Sequence, residues 1–323
     1  MVAGGTSPGA RAAASGRRSG ARHEAVLYSS AEELAARLAP RVDAAMRTGG
    51  TVVAVLEDEN RTALAAALGA DAVGVEFADP AQVHSVPAFT VATRWARASR
   101  QLQSPDRPTT VISQPVEGIP DCGPEHWARL DIALNVAIEG LPMTVLCPYP
   151  AGSPELARVE ATHPLLSTGG DTHRSPRYQR PHDAVVEYPP PPPPDLAVPE
   201  AELTFDASGL AAVRATVVGA SSAAGLAGGR LEDFVLAVNE VASNAVEHGP
   251  GNGRLRVWTT GGVIVAEVAD AGRMDVRFPG VAAPPPSGPR GRGLWLASEM
   301  CDVLQVWSGE ATDGTVARLR VVP

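Results

Sequence analysis

Lysine is missing from this chain of 323 residues, so all 27 of its basic side chains are arginine. A Walker P-loop sets a lysine against the phosphates it holds, so no nucleotide site of that kind can exist here. Cysteine is nearly as scarce. Cys122, Cys147 and Cys301 are odd in number and far apart, with neither metal spacing nor a disulfide framework, and they read as buried thiols in a reducing compartment. No stretch of about 18 apolar residues runs without a charge, which leaves no candidate transmembrane helix. Arg11, Arg17, Arg18 and Arg22 are not followed by the apolar segment of a signal peptide. Together these features predict a cytoplasmic protein with no membrane partner. A net charge of −9 argues against direct nucleic-acid binding, because neutralising phosphates needs a basic face. Aromatic residues make up only 4%, so Ala, Val, Leu and Gly carry most of the 44% hydrophobic content.

The length suits two domains. Residues 1–22, rich in Gly, Ala, Ser and Arg, read as a disordered tail. From 23 to about 180, short apolar runs alternate with helical stretches. Strands are expected at Ala25–Tyr28, Thr51–Leu56, Val73–Phe77, Thr109–Ser113 and, last, Met143–Cys147. Helices are expected at Ser30–Arg47, Arg61–Leu68, Ala88–Leu102 and Pro124–Glu139. Ser30 and Glu33 read as a capping box. This alternation predicts a three-layer α/β domain with a mostly parallel sheet, RecA- or Rossmann-like but without a P-loop. Residues 150–200 hold few periodic apolar positions. Residues 181–200 read as a linker, with the six prolines Pro189–Pro194 as a stiff polyproline II spacer. A second domain, 201–323, is then an α+β two-layer sandwich.

The chemistry concentrates in that second domain. Arg230–Gly249 reads as an amphipathic helix with Asp233, Glu240, Asn244 and Glu247 on one side and Phe234, Val238, Val241, Ala242 and Ala245 on the other. An amide oxygen from Asn244 suits a hard cation such as Mg²⁺, and Glu240, one turn earlier, could orient or deprotonate a hydroxyl; a solvated polar face explains the same pattern equally well. Arg254–Thr260 and Val263–Ala269 flank Gly261-Gly262, a hairpin signal. The second strand runs into Asp270-Ala271-Gly272, where a carboxylate can accept from an exocyclic amine while glycine lets a flat ring approach. Residues 273–290 read as a mobile lid. Then Arg290-Gly291-Arg292-Gly293-Leu294 opens a helix to Cys301, an anion site by its freed N–H groups with arginine charge nearby. Val303–Ser308 and Thr315–Val321 complete an antiparallel sheet.

Glu-x-x-x-Asn on a helix, Asp-x-Gly after a strand and Gly-x-Gly-Leu before a helix, in that order, resemble the boxes of the GHKL (Bergerat, HATPase) superfamily. The likeness is to its anti-sigma serine/threonine kinase branch, the RsbW and SpoIIAB type. It implies ATP as ligand, Mg²⁺ on Asn244, Glu240 as catalytic base and Asp270 on the adenine amino group. Gly272, Arg290, Gly291, Arg292, Gly293 and Leu294 would shape the base pocket and phosphate lid. Met274 departs from the pattern, standing where many relatives carry a second glycine. The first domain is similar to the MEDS (DcmR-like sensory) domain fused to such kinases in the anti-sigma factor RsbA family, through His23, the ALNVA of Ala133–Ala137, the LCPY of Leu146–Tyr149, Thr162-His163-Pro164, Ser175 and Tyr178. Asp131 stands where relatives often carry Glu. His23, Cys147 and His163 could form a redox or metal site, though residues so far apart are more often structural.

The resemblance implies a regulatory kinase for stress response and transcription regulation that binds a sigma factor and phosphorylates an anti-sigma antagonist, with a homodimer compatible. The alternatives are a nucleotide-binding interaction module without turnover, and a sensor histidine kinase. The last needs an acceptor histidine on a helical hairpin ahead of the ATP domain, and neither His173 nor His182 has that context.

Overall fold

The computed structural model describes residues 20–102, 107–284, 292–309 and 312–323; most of the expected tail, residues 1–19, lies outside them. The first half runs β1 (Arg22–Tyr28), α1 (Ala31–Arg47), β2 (Thr51–Val55), α2 (Asp58–Leu68), β3 (Val75–Ala78), α3 (Pro80–His84), α4 (Ala88–Gln101), β4 (Thr109–Ser113), α5 (Pro124–Ala137), β5 (Met143–Pro150), α6 (Leu156–Thr162), β6 (Leu165–Thr168) and β7 (Asp171–Arg174). The strands form one sheet in the order β3-β2-β4-β5-β1-β6-β7. Its pairings are parallel except for the β6–β7 hairpin at one edge.

Residues along these strands alternate between two cores, as pleating requires. Ala25, Val111, Val145 and Cys147 pack with Val91 of α4 and Leu134 of α5. Val26, Ile112 and Leu146 pack with Leu34, Leu38 and Leu64 of α1 and α2. Helices therefore cover both faces, and the domain has three layers.

Ser30 caps α1 by accepting from the Glu33 amide at 3.2 Å, while the Glu33 carboxylate accepts from the Ser29 amide at 2.8 Å rather than from Ser30. Two expectations change. β5 is not the last strand, and residues 150–174 hold a helix and a hairpin. α6 spans seven residues and β6 and β7 four each, too short to leave a periodic signature. β7 is also exposed along its whole length.

After α7 (Pro181–Ala184) the second half runs β8 (Ala201–Asp206), α8 (Leu210–Ala223), α9 (Gly228–Glu247), β9 (Asn252–Thr260), β10 (Val263–Asp270), α10 (Gly293–Met300), β11 (Val303–Gly309) and β12 (Gly314–Val321). The strands form a separate antiparallel sheet, β11-β12-β10-β9-β8. Gly261 and Gly262 have φ of +63° and +76°, the twin left-handed residues of a tight hairpin turn. Phe234, Val238, Val241 and Ala245 of α9 bury against Leu255, Val257, Ala266, Val268 and Leu319 of the sheet, with Val217 of α8 and Ala297 of α10 beside them. All three helices thus cover one face.

The other face is covered by the proline run. A prolyl residue cannot donate from its backbone but keeps its carbonyl as an acceptor. The carbonyls of Pro191, Pro194 and Ala197 accept from Trp307 Nε1 at 2.6 Å, Arg318 Nη1 at 3.0 Å and Trp258 Nε1 at 2.6 Å. Beneath this strap Glu267, 1% exposed, pairs with Arg318 and Arg256. The segment read as a spacer is a strap fastened to the sheet.

The two halves also touch directly. On α4, Arg94 donates to the Asp302 carbonyl at 3.1 Å, Arg97 to the Ser298 carbonyl, and Arg100 to the Glu299 carboxylate at 2.7 Å.

Candidate nucleotide site

α9 supplies the first wall. Its broad apolar side binds it to the sheet, which leaves Glu240 and Asn244 half-buried along one edge, while Asp233 and Glu247 face solvent. The four polar residues of this helix therefore separate into a pair at the site and a pair outside it.

β10 supplies the second wall. Asp270 is its last residue, and its Oδ1 accepts from the Gly272 amide at 2.7 Å. Partial burial pushes the Asp270 carboxyl above its ordinary pKa, and the Gly272 bond pulls back against that rise. With Oδ1 committed to the backbone, Oδ2 is the oxygen a ligand can use. A Cβ on Gly272 would stand 2.7 Å from Asp270 Oδ1 and 3.1 Å from the Gly249 Cα, so only a hydrogen fits there.

A cleft opens between these walls, lined by Asn244, His248, Asp270, Gly272, Met274 and Leu294 among others. α10 closes one end. A Cβ on its first residue, Gly293, would lie 3.1 Å from Glu240 Oε2 and 3.3 Å from Asn244 Nδ2. The start of α10 is thus held against the polar edge of α9. Arg292 occupies the N-cap of α10 and is exposed. Arg290 and Gly291 lie outside the described residues.

The structure therefore gathers Asn244, Asp270, Gly272 and Leu294 around one cleft and sets Glu240 and Gly293 at its end. It also adds residues that the motifs did not single out. His248 and Gly249 cap α9 and line the cleft. The His-Gly pair directly after the helix was the available signal. Thr315 donates to the Gly272 carbonyl at 2.9 Å, and Ser308 accepts from the Met274 amide at 2.7 Å. These two strand residues brace the Asp270–Met274 turn from 34 to 43 positions away, where no local pattern could mark them.

The stretch expected to be a mobile lid is anchored over its described part. Phe278 and Val281 are buried among residues of the first domain. Phe278 stacks on Phe89 of α4 at 5.6 Å between centroids and meets His182 edge-on at 5.1 Å. The Gly280 carbonyl accepts from Ser298 Oγ of α10 at 2.7 Å. One end of this loop carries the Asp270–Met274 turn and its middle rests on the first domain.

Asn244 stands where α10 begins, with its amide nitrogen and oxygen 3.3 and 3.5 Å from the position a Cβ on Gly293 would take. Among the described residues no helix is long and apolar enough to cross a membrane.

Residues 203–321 match the family model described as the histidine kinase-like ATPase domain. Residues 22–164 match the model of MEDS, the methanogen/methylotroph, DcmR sensory domain. No curated protein matches the chain. An N-terminal MEDS domain and a C-terminal histidine kinase-like ATPase domain thus make up most of the molecule.

Proposed function

We propose that a chain joining a MEDS sensory domain to a histidine kinase-like ATPase domain is a regulatory ATP-binding protein of the anti-sigma serine/threonine kinase kind. In this reading a signal taken up by the first domain controls partner switching between a sigma factor and an anti-sigma antagonist. The observation that carries it is the convergence of Asn244, Asp270, Gly272 and Leu294 on one cleft, with Glu240 at its end.

ATP with Mg²⁺ supplies a transferable γ-phosphoryl group. Asp270 accepts from the exocyclic amine of the base, and Gly272 allows the ring to lie close. Asn244 would hold the cation by its amide oxygen. The N-terminal amides of α10 would face the phosphates. Glu240 takes the proton of the attacking serine or threonine hydroxyl as the new O–P bond forms and the bond to the β-phosphate oxygen breaks. Transfer then rests mainly on positioning and charge.

The contacts of α4 with α10 and with the loop at Phe278 support coupling between the domains. The histidine kinase alternative fares worse: His173 lies on the edge strand β7 and His182 on the four-residue α7, and neither is on a long helix. Met274 in the cleft favours a second reading, a nucleotide-dependent binding module without turnover.

The test is transfer of labelled γ-phosphate to an antagonist protein encoded beside this chain. Transfer that is lost in Glu240→Gln, with ATP binding kept, supports the kinase. Tight ATP binding by the unaltered chain without any transfer rejects it in favour of the module.

A further inference from the structure

Four side chains from separate parts of the first domain meet in its interior: His23 on β1, Asp131 on α5, Cys147 on β5 and His163 directly after α6. One donor atom from each lies within 4.8 Å of all the others. None of the four residues is more than 3% exposed.

What surrounds them sets which atoms face inward. The Asn135 amide nitrogen donates to the carbonyls of Asp131 and Thr162 at 3.0 and 2.8 Å, which turns its oxygen toward His23 Nδ1, 3.0 Å away. That oxygen can only accept, so His23 carries its proton on Nδ1 and keeps a lone pair on Nε2. His23 Nε2 lies 3.4 Å from Cys147 Sγ. His163 repeats the arrangement. Its Nδ1 lies 3.0 Å from the Val159 carbonyl, and its Nε2 faces Asp131 Oδ1 at 3.6 Å. Asp131 Oδ2 is taken by the Tyr149 hydroxyl at 2.7 Å, with Arg158 at 3.6 Å. Buried and aimed at the centre, His163 Nε2 has no hydrogen-bond partner among the described residues. An imidazole lone pair against a carboxylate oxygen sets two acceptors face to face with no donor between them.

We propose that His23, Asp131, Cys147 and His163 form a closed, four-coordinate site for one transition-metal dication, Zn²⁺ by preference. Two imidazole nitrogens, a thiolate and a carboxylate are zinc-type ligands in number and kind, whereas Ca²⁺ and Mg²⁺ call for all-oxygen shells of six or more. Tetrahedral bonds of normal zinc length put neighbouring ligand atoms about 3.3–3.6 Å apart. The pairs His23–Cys147 and His163–Asp131 stand at 3.4 and 3.6 Å. The thiolate and carboxylate together bring two negative charges, of which Arg158 beside Asp131 offsets part and a dication the rest in a dry interior. Binding releases the Cys147 proton. Asn135, the Val159 carbonyl and Tyr149 form the outer layer of hydrogen bonds that orients metal ligands. With four protein ligands no coordination position stays open, so the ion holds β1, β5, α5 and the end of α6 together.

The test uses the full chain, purified under reducing conditions without chelators. Elemental analysis is expected to show about one equivalent of metal per chain, as a structural site requires. Cobalt(II) added to chain stripped of metal and kept reduced is expected to give the intense bands of a tetrahedral site with a thiolate charge-transfer component. Cys147→Ser should remove that component, and His163→Ala should lower the metal content of the purified chain. Neither bound metal nor a cobalt spectrum in the unaltered chain overturns the proposal, whatever the variants do. A tetrahedral spectrum without a thiolate component also overturns it, because the metal would then be held elsewhere.

Discussion

Phe89 and Phe278 stack with their ring centroids 5.6 Å apart and their planes 30° from parallel. Phe89 belongs to α4 of the first domain, and Phe278 to the loop that leaves Asp270 at the nucleotide cleft. Aromatic pairs of this kind contribute about 0.5–1.5 kcal/mol beyond the area they bury. Phe89→Ala frees the loop without touching the cleft. A two- to tenfold change in ATP affinity is expected from that energy, measured by titration with a fluorescent nucleotide. Unchanged affinity would mean that the two domains do not communicate through this contact.

Arg100 and Glu299 offer a second, polar handle on the same boundary. Both side chains are partly exposed, so the pair adds only about 0.2–1 kcal/mol. Arg100→Glu alone should alter nucleotide affinity or melting through like-charge repulsion. Combining it with Glu299→Arg should recover part of the change, since Glu299 also pairs with Arg97 at 3.5 Å. A double variant no better than the single one would remove this ion pair from any coupling role.

Asp270→Asn should weaken ATP by about 1.5–3 kcal/mol, or roughly ten- to 150-fold, because a hydrogen bond to a charged acceptor is lost. Isothermal titration with and without Mg²⁺ reads this directly. In the unaltered chain the ionised carboxylate is the stronger acceptor and carries no competing O–H, and burial raises its pKa. Affinity should therefore fall on acidification sooner than it would for a solvent-exposed aspartate.

Gly272→Ala puts a methyl group 2.7 Å from Asp270 Oδ1 and 3.3 Å from the Pro250 ring. The turn must shift, so ATP binding should drop at least tenfold while the fold melts within a few degrees of the unaltered chain. Circular dichroism beside nucleotide titration separates the two effects. Full affinity in the alanine variant would show that the base does not lie against this turn.

His84 gives the pH prediction. It is fully buried against Trp127 and His126, with Ser113 at 3.4 Å. Burial lowers its pKa from 6.5 to about 3, with His126 as the next cause. Between those values the unfolded chain binds a proton that the folded chain refuses, so stability falls as pH drops below 6.5. One such histidine contributes about 1.4 kcal/mol per pH unit. Denaturant melts from pH 7 to 5 should become shallower in pH for His84→Gln.

The local elements were largely legible. Ser30 with Glu33 marked the start of α1, the twin glycines 261–262 marked the β9–β10 turn, and the two-sided pattern of Arg230–Gly249 marked α9. Each signal arises from neighbours within one or two turns of chain. α6, β6 and β7 escaped because elements of four to seven residues repeat too few times. The polar side of α9 was readable as a side, but not as two halves. Glu240 and Asn244 separate from Asp233 and Glu247, which flank them along the helix, because Gly293 at the start of α10 packs against the inner pair.

By itself the sequence determined the kind and order of the chemical groups: no lysine for a P-loop, a Glu and an Asn one turn apart, an aspartate closing a strand, glycines ahead of a helix. Backbone sterics and hydrophobic periodicity act between chain neighbours, so a string of residues carries them. Tertiary structure alone decided which distant groups share a volume. His23 meets Asn135 across 112 positions, Trp307 holds Pro191 across 116, and Phe278 settles on Phe89. Those meetings depend on how two sheets and their helices close over one another, and close packing admits only the pairs whose shapes and charges fit once the chain is folded.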